Sequence, residues 1–364
     1  MTAVVLGATA NQAAHTIEKI NIGTRRSQLA IAQVDAIIAQ LKAVAPQPEY
    51  VSRVVSTMAD ENQVKAFSAF DSKSIWTEEL EQLLMDGGLD VVVHCLKGRF
   101  YDDELLWMSH PDGTSNLTTE YLLTEEMIDM PTSLPSSCAL GVICEREDPR
   151  DVVVMKANSP YKRIQDLPAG SVVGTSSVRR KAQTFRHFPQ LRCVDVRGNL
   201  NTRLGKLDTD GSQYDCLILA AAGLKRIDLG HRITQYLSAD DGVLYAPGQG
   251  ALGLEIRDGD ERMLDFLSVL AHRSTALACL AERSLLKTLQ GGCSAPVGVE
   301  TTWNGDELVL KSSVISPDGK DMVESQKKAF VNTQDEALSL GNELAEQLLG
   351  MGADKILHDL RMNA

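Results

Sequence analysis

Between residues 174 and 206 the chain places eight basic side chains, Arg179, Arg180, Lys181, Arg186, Arg192, Arg197, Arg203 and Lys206, against one acid, Asp195. The whole chain carries a formal charge of −13, so this stretch is a local exception. An acidic chain that gathers cations in one place has the makings of an anion site, although a solvated helix face would show the same count. The local texture favours the site. In "GTSSVRR", Thr175, Ser176 and Ser177 fall where a short apolar run feeds a helical pattern. The free N–H groups and the dipole of such a helix start attract anions, and the guanidinium forks of Arg179 and Arg180 suit carboxylates. A plain serine N-cap would explain the serines alone. One strand later "RGNLNTRL" repeats the idea, with Arg197 at a strand end, Gly198 allowing close approach and Arg203 in the next helix. "IGTRRSQLA" makes a third such turn, with Arg25, Arg26 and Ser27. Ligands of open α/β sheets collect outside the carboxyl ends of strands, so three cationic turns of one kind point to an anion site rather than to solvated faces.

Other stretches carry weaker signals. "GGCSAP" sets Cys293 on a glycine-rich turn, which leaves a thiol accessible for nucleophilic attack or covalent attachment; a small buried hydrophobe is the plainer alternative. "GQGALG" fits the dinucleotide fingerprint at Gly248, Gly250 and Gly253. That fingerprint should open a helix, however, and the alternating "LGLEIR" that follows reads as a strand. His94 in "VVHCLK" has no partner at metal spacing and reads as a structural histidine at a strand end; no metal is expected. Seven scattered cysteines without a C-x-x-C pair fit a reducing cytosol, and no apolar run is long enough to span a bilayer. The acidic balance argues against nucleic acid as a partner.

The elements that must position these residues alternate. "KINIGT" reads as a strand, with Ser27 capping the helix "QLAIAQVDAIIAQLKAV". "YVSRVVST" and "LDVVVHCL" are strands around the helix "TEELEQLLMDGG". "SVVG", "LRCVDVR" and "YDCLILAAAG" are further strands, the first two leading into helices and the last into a turn, the pattern of parallel α/β sheets. The last hundred residues differ: helices, then antiparallel strands turning at Asn304-Gly305 and Asp318-Gly319, then a final helix "EALSLGNELAEQLL".

Taken in order, "IGTRRSQLA", "GTSSVRR", "RGNLNTRL", "GQGALG" and "GGCSAP" closely resemble the porphobilinogen deaminase (hydroxymethylbilane synthase) family. The resemblance implies an α/β fold of two doubly wound, periplasmic-binding-protein-like domains plus a small C-terminal α+β domain. It implies domain 1 over 18–146 and 248–271, domain 2 over 147–247 and domain 3 over 272–364. It implies condensation of four porphobilinogen molecules into hydroxymethylbilane with loss of ammonia, on a dipyrromethane primer bound as a thioether to Cys293. Ser176, Ser177, Arg179, Arg180, Gly198 and Arg203 are then expected to hold this cofactor. Arg25, Arg26, Ser27, Thr175, Arg197, Arg226 and Gln249 are expected to hold substrate. A cytoplasmic monomer acting on a small molecule, without membrane or nucleic acid, completes the expectation.

The family's catalytic segment reads H-S-L-K-D-x-P-T, its Asp stabilising the cationic intermediates. Here "HCLK" ends at Lys97 and "DMPTSLP" begins at Asp129, so the catalytic pair Lys97 and Asp129 is split by residues 98–128. This insert holds seven acids and one base, Arg99, and its removal restores an unbroken "VVVHCLKDMPTSLP". Codons for Gly98, Ile128 and Asp129 are compatible with the borders of a phase-one intron, and a translated intron is the expectation. Two cations usual in the family are also replaced, by Glu61 in "ADE" and by Glu78 in "WTEELE". An alternative reading follows: a non-catalytic carboxylate- or pyrrole-binding protein on the same scaffold.

Overall fold

A computed structural model of the protein describes residues 4–6, 17–55, 78–99, 129–131, 134–289 and 295–362. Three sheets organise them. The first contains β1 (Lys19–Arg25), β2 (Glu49–Val55), β3 (Val91–Arg99), β4 (Asp129–Pro131), β5 (Cys138–Ile143) and, from far along the chain, β11 (Leu252–Arg257). Its order is β2-β1-β3-β11-β5, with β4 beside β3. β1 runs parallel to β2 and β3, while β11 lies antiparallel to both β3 and β5. The second sheet is ordered β10-β6-β9-β7-β8, from β6 (Asp151–Met155), β7 (Val172–Gly174), β8 (Arg192–Val194), β9 (Cys216–Ala220) and β10 (Gln235–Tyr236). The third is a meander of β12 (Val297–Asn304), β13 (Glu307–Ile315) and β14 (Met322–Phe330).

The first two sheets are therefore mixed, not purely parallel as the alternation suggests. β11 and β6 are the reason: each lies next to a point where the chain passes from one sheet to the other, and each runs antiparallel to its neighbours. The strand reading of "LGLEIR" holds, which removes the helix a dinucleotide fingerprint needs. "YDCLILAAAG" ends in a short helix, α5 (Ala221–Arg226), rather than a turn. Beyond α8 (Gln334–Leu348) a π-helical turn and α9 (Asp354–Met362) extend the chain past the expected final helix.

Local chemistry sets the helix starts. Ser27 Oγ accepts from Ala30 N at 3.2 Å to open α1 (Gln28–Val44). Ser177 caps α3 (Val178–His187), and Asn199 caps α4 (Leu200–Asp208). α2 (Glu78–Met85) ends before Gly87, whose φ of +76° suits a left-handed stop. In the first core, Ile20, Ile22, Val91 and Val93 meet Val34, Ile37 and Leu41 of α1. Each such side chain contributes about 1.5–3 kcal/mol when fully buried. α6 (Glu261–Leu267) adds Met263, Leu264 and Leu267 to the first core, and the third core joins β12–β14 to α7 (Arg273–Thr288) and α8. No single helix among the described residues is long and apolar enough to cross a membrane.

Candidate active site

Three helix starts converge, and all three are the arginine-bearing turns. The turn after β7 is tied to the turn after β8, because Ser176 Oγ donates to Val196 O at 2.9 Å. The turn after β1 meets the latter across the gap between sheets, where Asn201 Nδ2 donates to Gln28 Oε1 at 2.5 Å. Leu29 of α1 also packs on the second sheet's core, against the side that includes Leu200 and Leu224. Sequence alone shows three similar turns; the fold makes them neighbours.

Within these turns the side chains differ in employment. Arg26 is exposed, Ser27 and Arg197 are half-buried, and Arg25, Thr175 and Arg203 are buried. Ser177 N donates to Thr175 Oγ1 at 3.3 Å, and Arg203 Nε donates to the Gly198 carbonyl. Gly198 has φ +111°, and a Cβ there would stand 2.5 Å from Thr202 Cγ2, so the turn after β8 requires glycine. Arg179 and Arg180 face inward. Arg179 Nη1 donates to Asp151 Oδ2 at 2.6 Å, and Arg180 Nη2 to Asp151 Oδ1 at 2.9 Å. Burial alone would raise the Asp151 carboxyl, but Arg179 and Arg180 hold it below the usual carboxylate range.

The first sheet brings its own residues to the same region. Along β3, Cys95 and Lys97 point to one face, His94 and Leu96 to the other. Asp129 pairs in register with Cys95, running parallel, so the chain returns beside β3 after the insert. The backbone of Asp129 is thus level with a residue two positions before Lys97, rather than following Lys97. Arg226, at the end of α5, donates through Nη2 to Gly250 O at 2.6 Å. Burial lowers its pKa, while Cys95, Glu147 and Cys144 oppose that. Glu78 is exposed at the start of α2, where a helix N-terminus favours its charge. Cys293 and Glu61 lie outside the described residues.

Two crossing segments, 144–150 and 246–251, join the sheets. Glu147 N donates to Gly250 O at 3.2 Å and Arg146 Nε to Gln249 O at 2.7 Å. A Cβ on Gly248 would stand 2.1 Å from Leu96 O, and one on Gly250 2.4 Å from Glu147 O. That is the physical reason for "GQG". Gln249 is buried, and its Nε2 donates to Pro149 O at 2.6 Å and Asp151 Oδ1 at 2.9 Å. Its Oε1 is buried without a hydrogen bond among the described residues, an acceptor open to a donor. Sequence reasoning missed Arg146, Asp151 and Glu282. Arg146 makes a bidentate pair with Glu282 of α7 at 2.6 and 2.9 Å; Glu282 also accepts from Gly248 N and Thr301 Oγ1. The signal was the charged run "CEREDPRD" between two apolar strands, a place where charges need partners.

Comparison with known proteins bears on this arrangement. A family model described as porphobilinogen deaminase, dipyrromethane cofactor binding domain, matches residues 20–99 and 122–265. A second, porphobilinogen deaminase C-terminal domain, matches residues 276–350. Residues 100–121 fall in the gap, inside the insert read from the sequence. The porphobilinogen deaminase of Yarrowia lipolytica is 45% identical over 351 residues, covering 95% of this chain and 94% of that protein. That of Neurospora crassa is 44% identical over 348 residues, 93% of each. That of Synechococcus is 43% identical over 342 residues, covering 94% and 96%. A solved methionine-binding protein, MetQ, aligns over 73% of this chain and 91% of its own at 10% identity and a TM-score of 0.35, too slight a likeness to carry an argument.

Proposed function

The chain belongs to the porphobilinogen deaminase family, and from that premise we propose that it condenses four porphobilinogen molecules head to tail into hydroxymethylbilane, releasing ammonia. The observation that carries the reading at residue level is the convergence of the three arginine-bearing turns. A growing chain of pyrroles is a string of acetates and propionates, and the turns after β1, β7 and β8 offer guanidinium groups, hydroxyls and helix starts together. The donor set fits a dipyrromethane primer for the same reason. Ser176, Ser177 and Arg203, at the edge of the second sheet, would hold its carboxylates; Gly198 leaves the backbone clear; Cys293 would form the thioether. The bound primer supplies the nucleophilic end on which each new unit is added.

The chain's own residues do the rest. Arg25, Arg26, Ser27, Thr175, Arg197 and Arg226 orient the incoming carboxylates, and Gln249 offers its buried Oε1 as an acceptor. Asp129 would hold a carboxylate against the positive charge that develops as ammonia leaves, and take or return a proton, with Lys97 beside it. Arg179 and Arg180 act one step back, holding the turn that carries Ser176 and Ser177. We propose the three domains 18–146 with 248–271, 147–247 and 272–364, supported by one sheet falling in each. A cytosolic setting is proposed, supported by the scattered cysteines, and a monomer is proposed with it.

Intact-mass measurement after expression tests the reading. Two covalent pyrrole units are expected on the wild-type protein and none on Cys293→Ser, with both chains folded. Bound pyrrole at wild-type level in Cys293→Ser would refute the attachment. A second reading is favoured by one observation, that Asp129 lies beside Cys95 instead of after Lys97. It is a carboxylate-binding protein without turnover, and an unmodified Cys293 with retained binding of porphobilinogen would select it.

A further inference from the structure

Glu255 has no role in the chemistry above, yet it is completely buried in the first sheet, and so is its neighbour His94. His94 Nε2 and Glu255 Oε2 share a hydrogen bond of 2.6 Å between β3 and β11. No Lys or Arg is paired with this carboxylate among the described ion pairs. Beside it stands Cys138 of β5, its thiol pushed up to about 12 by burial and by the charges of Glu255 and Glu81. A second carboxylate, Glu81 of α2, is buried on the same side. Taking a carboxylate out of water is costly unless a partner compensates, and replacing a buried pair by well-packed hydrophobic residues is often neutral or stabilising. Stability alone does not account for the pair.

Position supplies a reason. In register, Gly253 of β11 faces His94 and Glu255 faces Val92, so the Glu255–His94 bond runs diagonally across the two strands on one face. Lys97 lies on the opposite face of β3 and only three residues further on. The same strand end is gripped at two more points: Leu96 N donates to Ala251 O at 3.0 Å, and Gly248 packs against Leu96 O. β11 continues directly from the crossing segment that carries Gln249. We propose that Glu255 and His94 are positioning residues, which clamp β3 from behind and so fix Lys97, and the Asp129 backbone paired at Cys95, relative to the crossing segment and Arg226. The inference rests on the deaminase reading, but its structural half does not.

Two readouts separate them. Hydrogen exchange on full-length protein is measured over residues 93–97 and, as the internal reference, over β1. Glu255→Ala is expected to speed exchange in 93–97 by about tenfold or more while β1 stays protected, because the loss is local. Glu255→Gln keeps an acceptor for His94 and is expected to restore most of the protection. If Glu255→Ala does not fold, His94→Phe, which removes the bond to Glu255 at little change in volume, takes its place, and His94→Gln, which keeps a side-chain donor, is the variant expected to restore protection. In turnover assays the clamp predicts that kcat falls on the order of a hundredfold with KM little changed, since misplacing a reacting group by about 1 Å costs that much. Unchanged exchange over 93–97, or an equal rise across the whole sheet, overturns the clamp. A wild-type protein without bound pyrrole or turnover overturns the deaminase reading and leaves the exchange test standing.

Discussion

Asp151 sits at the first residue of β6 with its carboxylate shared by Arg179, Arg180 and Gln249. Reading the sequence alone, one expects Arg179→Leu and Arg180→Leu to weaken pyrrole-chain assembly more than folding. Their partners add a cost in folding. Removing Arg180 leaves a buried carboxylate short of a cation, a change that costs about 3–5 kcal/mol. Urea unfolding at pH 7 should show Arg180→Leu destabilised by that amount, and an unaltered midpoint would mean that the pair is not worth its burial. The pH dependence follows from the depressed Asp151 pKa. A carboxyl whose folded pKa is lowered contributes stability above its unfolded value, near 4, and loses it as pH falls toward the folded value. The gap between wild type and Arg180→Leu should therefore narrow below about pH 4. Residue types announced a cationic stretch in this sequence. They could not announce which cations meet ligand and which meet Asp151, because that is decided by partners 28 and 29 positions away.

Among the elements, the crossing at 246–251 is the one most tightly specified by its residues. Gly248 and Gly250 both adopt positive φ, and a Cβ at either would collide with main-chain oxygen rather than with a movable side chain. Gly259 also has positive φ, but nothing lies within 4 Å of its would-be Cβ. Gly259→Ala should then cost only the left-handed penalty, about 1–2 kcal/mol, while Gly248→Ala should lower Tm well beyond that because Leu96 or the crossing must move. Equal Tm losses in the two variants would show that the contact with Leu96 O is relaxed easily. The glycines were legible as glycines, and the strand after them ruled out a helix. What they press against was not legible, since Leu96 and Glu147 lie about 150 and about 100 residues earlier in the chain. Strands and capped helices of ordinary length were readable from period and cap residues. The short α5 and the extension through α9 were missed, the former because six residues offer too little periodicity.

At the scale of the molecule, residues 98–128 separate Lys97 from Asp129, and Asp129 lies beside β3. Excising residues 98–128 joins Lys97 to Asp129, so that Asp129 would continue β3 instead of lying beside it. In the present chain Asp129 is level with Cys95 on a neighbouring strand. Strands lie about 4.8 Å apart and rise about 3.3 Å per residue, so the Asp129 backbone would move by several ångströms between the two forms. A fold tolerates this, since closing a loop twice as long costs only about 0.6 kcal/mol more. Catalysis does not, when about 1 Å of misplacement costs on the order of a hundredfold. The insert also adds seven acids and one base to the sequence between Lys97 and Asp129. We expect the chain as written to fold with a Tm within a few degrees of the excised form, and to turn over at least about a hundredfold more slowly. Assaying both forms for hydroxymethylbilane, with transcript sequencing across the Gly98 and Ile128 borders, checks the two halves of the idea. A single mature transcript that keeps the insert, together with equal turnover by the two proteins, would make residues 98–128 an ordinary loop of this enzyme and return Asp129 to service from beside Cys95.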